Sequence, residues 1–398
     1  MFTFKFQLSA KEVLSAINHL SYCGLFRQHS VNSNTTHYVL VLSPLKILNG
    51  SLGKLANTVS SKKPTTEIFS KQIQNQEQNH LNEENSSVVK NWSEAENQTG
   101  FISGWVGNID YPDSTDNDSM CFFGYHDASI LLDLNKDECF LQSSSPLSAA
   151  RTLELIDDLS VAINESTEQS NDYEQKKFHK STRKNAYKRN WQAAWSYKEY
   201  QLAFDAVHNY LINGDCYQVN LAMPFICTDD LRSQNPLPLL EKFNAPHACY
   251  FKTAAFTLFS VSPEQFLQVN DKVITTKPIK GTAPRHDEPK KDNDSAEFLL
   301  SSHKNRAENI MIVDLLRNDL SMSAKPHSVS VPDLFKLESH KNVHHLVSTI
   351  TAQLRDDLTA ADAVITAFPG GSITGAPKRR AMEIIAELEC QPRDSYCG

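Results

Sequence analysis

Short apolar runs bounded by turns, and only occasionally interrupted by helical stretches, constrain this chain more than any other feature. Tyr38-Val-Leu-Val-Leu42, Phe101-Ile-Ser-Gly-Trp-Val106 and Ala128-Ser-Ile-Leu-Leu-Asp-Leu134 read as strands from their β-branched, aromatic and leucine content. Tyr217-Gln-Val-Asn-Leu-Ala-Met223 alternates and reads as a half-buried strand, and Phe256 to Val261 and Lys272 to Thr276 are further strand candidates. Helical patterns are fewer. Ser196-Tyr-Lys-Glu199 is a capping box, Tyr200, Ala203, Phe204, Val207 and Leu211 follow at helical spacing, and Gly214 suits the residue past the helix end. A longer helix is predicted from about Ser295 to Leu316, and another after Pro377. Strands and helices that do not alternate strictly predict an α+β fold on large, mostly antiparallel sheets.

Three regions differ in composition. Residues 1–163 hold the early strands, with a Gln-, Asn- and Glu-rich stretch at 71–98 that reads as a surface loop without core residues. Residues 164–190 are polar and read as a linker or exposed excursion, and 191–398 carry the orderly motifs. The formal net charge of −8, without any basic block, argues against a nucleic-acid partner. An anionic ligand would need a local positive site. No apolar run reaches membrane-span length, and the start Met-Phe-Thr-Phe-Lys-Phe has no signal-peptide pattern. Eight cysteines without any C-x-x-C pair read as reduced, mostly buried thiols of a cytoplasmic protein.

Several motifs offer chemistry, each beside a plainer structural reading. Gly370-Gly-Ser-Ile-Thr-Gly-Ala-Pro-Lys378 places glycines before a helix from Lys378 to Leu388, with Pro377 suited to the first turn. The free N–H groups and positive dipole end of such a helix form an anion site, or simply a capped helix. Glu308 shares a helical face with Met311, Ile312 and Leu315, so it is either a salt-bridged structural carboxylate or a Mg²⁺ ligand. Asp314 and Asp319 lie nearby, with Arg306 and Arg317 as possible counter-charges. Glu264, in Ser262-Pro-Glu264, and Lys280, in Thr276-Lys-Pro-Ile-Lys-Gly-Thr282, follow adjacent strands as an acid and a nucleophile or as an ion pair. His344-His345 lacks the accompanying ligands of a zinc site; one of the two serves better as a proton carrier or hydrogen-bond donor.

In their order these motifs resemble the chorismate-binding enzyme family. The matching elements are Gly214-Asp-Cys-Tyr-Gln-Val-Asn-Leu-Ala222, Ser262-Pro-Glu264, Pro278-Ile-Lys-Gly-Thr282, Arg306-Ala-Glu-Asn-Ile-Met-Ile-Val-Asp-Leu315, His345-Leu-Val-Ser348 and Gly370 through Lys378. The resemblance covers 191–398 and, more faintly, the amino-terminal region, which is similar to that of anthranilate synthase large subunits. It implies the family's large antiparallel β-sandwich with flanking helices, chorismate as substrate and Mg²⁺ as cofactor. By the same resemblance, Ser372, Thr374, Gly375 and Ala376 form a carboxylate cradle, and Gly281, Thr282 and His345 line the substrate. Glu308 is an implied Mg²⁺ ligand, and Glu264 an implied general acid whose pKa burial should raise.

Lys280 selects a branch. Anthranilate-forming relatives resemble Pro-Ile-Ala-Gly-Thr here, whereas the aminodeoxychorismate-forming branch has lysine. The resemblance therefore implies that chorismate and ammonia become 4-amino-4-deoxychorismate, in para-aminobenzoate and folate biosynthesis, through a covalent Lys280 intermediate. Gln218 stands where the isochorismate-forming branch carries a base, and its amide cannot replace one. No cysteine has a glutaminase-like setting, so ammonia is expected from a separate glutamine amidotransferase subunit. The alternatives are an anthranilate or isochorismate synthase relative and a catalytically inactive form. The sequence stops at Arg393-Asp-Ser-Tyr-Cys-Gly398, inside what resembles another family motif. Exposed sheet edges, an incomplete metal site and little or no activity of residues 1–398 are the corresponding expectations.

Overall fold

The computed structural model describes residues 2–5, 8–29, 36–51, 93–94, 104–112, 119–144, 147, 149–176, 190–229, 237–243 and 245–398. Most of the 71–98 stretch therefore lies outside the described residues, as do 101–103 of one predicted strand. All described strand pairs are antiparallel, in agreement with the predicted α+β class. Eight strands form the first sheet, in the order Thr257–Ser262, His247–Lys252, Cys23–His29, Thr36–Leu42, Ala128–Asp133, Glu138–Ser143, Phe2–Lys5 and Ser93–Glu94. Val343–Gln353 is central to a five-stranded second sheet, pairing with Val273–Lys277, Ile279–Pro284 and Ser330–Ser339; Gln265–Asn270 flanks Val273–Lys277. Lys46–Ser51, Met120–His126 and Gly104–Ile109 form a three-stranded sheet.

Period-two alternation explains how the layers stack. Tyr38, Leu40 and Leu42 face the main core with Leu25, Ile130 and Leu141, against the helices Ala10–Ser15 and Ala149–Lys176. Val41 faces the other way, onto Val106 and Phe122 of the three-stranded sheet and Phe251 of its own. A second core fills the space between the second sheet and the helix His303–Ser321, through Ile274, Ile350, Ile312, Val313, Leu316 and Leu320. Phe266 and Phe368 then pack with Cys121 and Ile109, joining the second sheet to the three-stranded one.

Four readings are corrected. The helix expected at 295–316 is two, Pro289–Ser301 and His303–Ser321, because Ser302 leaves helical geometry and its side chain accepts from the Asn305 N–H at 3.3 Å. The alternating 217–223 segment keeps only Gln218–Val219 as strand. The polar stretch from Asn164 is helical as far as Lys176, and 177–189 lies outside the described residues. The regions 1–163 and 191–398 are not separate in the fold, because His247–Lys252 and Thr257–Ser262 complete the first sheet beside Cys23–His29.

Candidate active site

The chain passes from the first sheet to the second through Ser262-Pro263-Glu264. The Ser262 hydroxyl accepts from the Glu264 N–H at 3.3 Å and donates to the Glu264 carbonyl at 3.2 Å, a turn that aims the carboxylate inward. Lys280 lies on Ile279–Pro284, where the register with Val343–Gln353 slips between Ile279 and Thr282. Gly281 occupies that irregularity at φ +98°, with room for no side chain: a Cβ would sit 2.9 Å from Leu299 Cδ1 and 3.1 Å from Asn305 Cγ. A bulge of this kind re-aims its neighbour, here Lys280. Thr282 pairs across the strands with His345.

The glycine motif supplies the third component. Gly371–Thr374 forms one short helical turn, and Gly375–Ala376 pairs with Gln218–Val219. Pro377 does not enter the helix as expected; it precedes it with extended backbone, and Lys378 opens the helix Lys378–Leu388 without a side-chain cap. The turn's carbonyls are held by the protein. Asn220 donates from Nδ2 to the Ser372 carbonyl at 3.2 Å and from its N–H to the Thr374 carbonyl at 2.9 Å. Arg393 reaches the Ile373 carbonyl at 3.3 Å and the Asn220 carbonyl at 2.5 Å while bound to buried Glu389. Thr374 is fully buried and donates to the Gly370 carbonyl at 2.7 Å.

Ser372 joins the acid to the lysine. Its hydroxyl donates to Glu264 Oε1 at 2.6 Å, and its carbonyl accepts from Lys280 Nζ at 3.0 Å. The two groups that the sequence leaves as an acid–nucleophile pair or an ion pair thus meet through one serine. Burial raises the pKa of Glu264, against the Ser372 hydrogen bond, the Lys280 charge and the Ile279 backbone, which pull it down. The net direction favours a protonated carboxyl, as a general acid requires.

The paired histidines separate in role. His344 is tied to Ser339 Oγ at 2.8 Å and to Asp292 at 3.1 Å, a carboxylate already bound by Arg285. His345 is buried, its Nδ1 has no hydrogen-bond partner, and its ring lies 5.1 Å from that of His340. Burial, then His340, lowers its pKa, which keeps the ring neutral.

Glu308 stands apart from this network. Its side chain is 42% exposed and faces Lys304 at 3.9 Å, one turn away. Among the described residues, no group of three or more His, Cys, Asp or Glu side chains is placed to hold a metal. Glu308 offers one carboxylate, and an ion there would take its remaining ligands from water and a bound anion.

Three features of the site are not evident from motif reading. Asn220 holds the turn from a neighbouring segment, and Asn309 is fully buried, accepting from Ser348 Oγ at 2.6 Å. The third is Lys378, bound to Asp319 at 2.7 Å behind the turn. A cation at the first position of a helix is misplaced by the helix dipole, which is the one signal in the sequence that could have marked it.

The family described as chorismate binding enzyme matches residues 53–398. Aminodeoxychorismate synthase component 1 of Salmonella typhimurium is 49% identical over 209 residues, 52% of this chain and 46% of that protein. The protein of the same name from Escherichia coli K12 gives the same identity and coverage. The chain thus spans about half the length of the curated relatives it matches. Anthranilate synthase component I from Streptococcus pneumoniae superimposes with a TM-score of 0.61 at 20% identity, over 93% of this chain and 80% of that one, a likeness of fold.

Proposed function

The chain belongs to the family of chorismate binding enzymes, and on that premise we propose that it acts as an aminodeoxychorismate synthase large component. The observation that carries this reading is the Glu264–Ser372–Lys280 arrangement. An acid whose pKa burial raises and a lysine amine converge on one serine of a turn whose carbonyls are already satisfied. The names of the 49%-identical relatives support the same branch.

The 372–376 cradle holds a chorismate carboxylate. The Lys280 amine adds at C2 of the ring; both conjugated ring double bonds shift one bond along, the second toward C4, and the C4 hydroxyl leaves as water with the Glu264 proton. Ammonia then adds at C4, giving up one proton that restores the Glu264 acid, and both double bonds shift back, expelling Lys280 and leaving 4-amino-4-deoxychorismate. Chorismate and ammonia are consumed and one water is released, so the sum balances. Gly281 and Thr282 shape the wall beside Lys280, and neutral His345 offers a hydrogen bond to the substrate. Ammonia comes from a separate glutamine amidotransferase, and a cytoplasmic role in para-aminobenzoate formation belongs to the same proposal. Magnesium, with Glu308 as one ligand, would neutralise the ring carboxylate.

The test is intact-mass spectrometry of the full-length protein with chorismate, Mg²⁺ and ammonium, with and without Lys280→Ala. The expected result is a mass adduct on Lys280, accumulating without ammonium and absent from the variant, with 4-amino-4-deoxychorismate as product. Anthranilate or isochorismate as product would overturn the branch assignment. Equal conversion by the variant without any adduct would overturn the role of Lys280.

A further inference from the structure

We propose that Lys378 is a positioning residue, which fixes the 370–376 turn by binding Asp319 and two backbone carbonyls behind it. The assignment rests on the reading of that turn as the carboxylate cradle. Lys378 is the first residue of its helix, the end where a positive charge is disfavoured. Its side chain folds away from that end. Nζ donates to the Ala367 carbonyl at 2.9 Å, to the Pro369 carbonyl at 3.1 Å and to Asp319 Oδ1 at 2.7 Å. Ala367 ends the helix Ala360–Ala367, and Asp319 lies in the last turn of His303–Ser321. The ammonium therefore sits against the carboxyl-terminal ends of two helices, where dipoles welcome a cation. Its three protons meet three acceptors, which leaves it no freedom to swing.

Two further observations tie this contact to the turn. Asp319 Oδ2 is buried without a hydrogen-bond partner, and a Cβ built on Gly371 would lie 3.3 Å from it and 2.5 Å from Leu315 Cδ2. The turn is thus pressed directly onto the Asp319 carboxylate. The Lys378 and Asp319 side chains are 17% and 5% exposed, so both charges have lost most of their hydration. Burial pushes the Asp319 pKa up to about 6 despite the pull of Lys378. A buried pair of this kind is a poor source of stability, and its evident product is direction. Lys378 anchors residues 367 and 369 just before the turn, while Asn220 and Arg393 hold 372 to 374 from the other side.

Hydrogen–deuterium exchange on the full-length protein tests this without requiring turnover. In Lys378→Met, exchange of the 368–376 amides is expected to quicken about tenfold, while Cys23–His29 and Thr36–Leu42 keep wild-type protection. Kinetics with chorismate and ammonium should show KM raised about tenfold and kcat within about threefold of wild type. Unchanged exchange in 368–376, or equal quickening in all three segments, overturns the proposal. If Lys378→Met does not fold, Asp319→Asn takes its place: quickening confined to 368–376 supports the proposal, and wild-type exchange there overturns it. A wild-type protein that leaves chorismate unconverted would sink the proposed function, and the exchange comparison would still decide the role of Lys378.

Discussion

Glu264 combines burial, a hydroxyl donor and a nearby lysine, and burial prevails: its carboxyl is harder to ionise than in water. The sign of the linkage follows. A carboxyl whose native pKa is raised stabilises the fold below the ordinary carboxylate range, and this contribution is lost as pH rises through the raised value. At pH 8 the ionised group therefore costs stability. Glu264→Gln, neutral throughout and still able to accept from Ser372, should melt about 1–3 °C higher than wild type at pH 8. The gap should narrow toward pH 5, while chorismate turnover falls at least about 100-fold. A lower melting temperature at pH 8, or near-normal turnover, would refute this account of the residue. The sequence singles out Glu264 and Lys280 as an acid and a nucleophile or an ion pair at the ends of adjacent strands; the strands lie in different sheets, and Ser372 stands between the two side chains. Ser372 lies 108 positions after Glu264 and 92 after Lys280, and only the folded chain brings them together.

Among the elements, those with strong local signals were legible. The capping box at Ser196 and Glu199 and the left-handed Gly214 at φ +79° bound the helix Tyr197–Asn213 as its sequence predicts. The break at Ser302 escaped notice because no glycine or proline marks it; a serine side chain competing for backbone hydrogen bonds suffices. Helix 164–176 escaped for the opposite reason, since its Glu, Gln and Lys residues favour helix without displaying an apolar stripe. Two glycines show how differently one residue type constrains its element. Gly214 has nothing within 4 Å of a Cβ, so Gly214→Ala should cost about 1 kcal/mol from backbone strain alone. Gly375 lies at φ +150°, where a Cβ would strike the Gln218 carbonyl and come within 2.7 Å of Ala381 Cβ. Gly375→Ala should part Gln218–Val219 from Gly375–Ala376, lowering stability by about 1–3 kcal/mol and removing chorismate conversion. Urea midpoints of the two variants, with turnover alongside, check the contrast; equal losses of activity would contradict it.

At the scale of the molecule, composition suggested divisions that the strand pairing overrides. His247–Lys252 lies beyond the 164–190 stretch, yet its Ala248 and Tyr250 are buried in one core with Leu25 and Leu40. Hydropathy reports that a strand is apolar but not which partner covers it, so this joining was invisible in the sequence. A fragment of residues 191–398 should therefore lack a cooperative urea transition, with protease cleavage appearing between 245 and 262. A sharp, two-state transition of that fragment would show that the shared sheet is dispensable. The same joining bears on how the protein is made. Cys23–His29 finds Thr36–Leu42 on one side almost at once, but its other side waits for a strand more than 200 residues later. At synthesis rates of 5–20 residues per second, that edge stays open for roughly 10–40 s. During this interval its unpaired N–H and C=O groups are a template for any passing strand, so the newborn chain is most vulnerable to aggregation long before its active site exists.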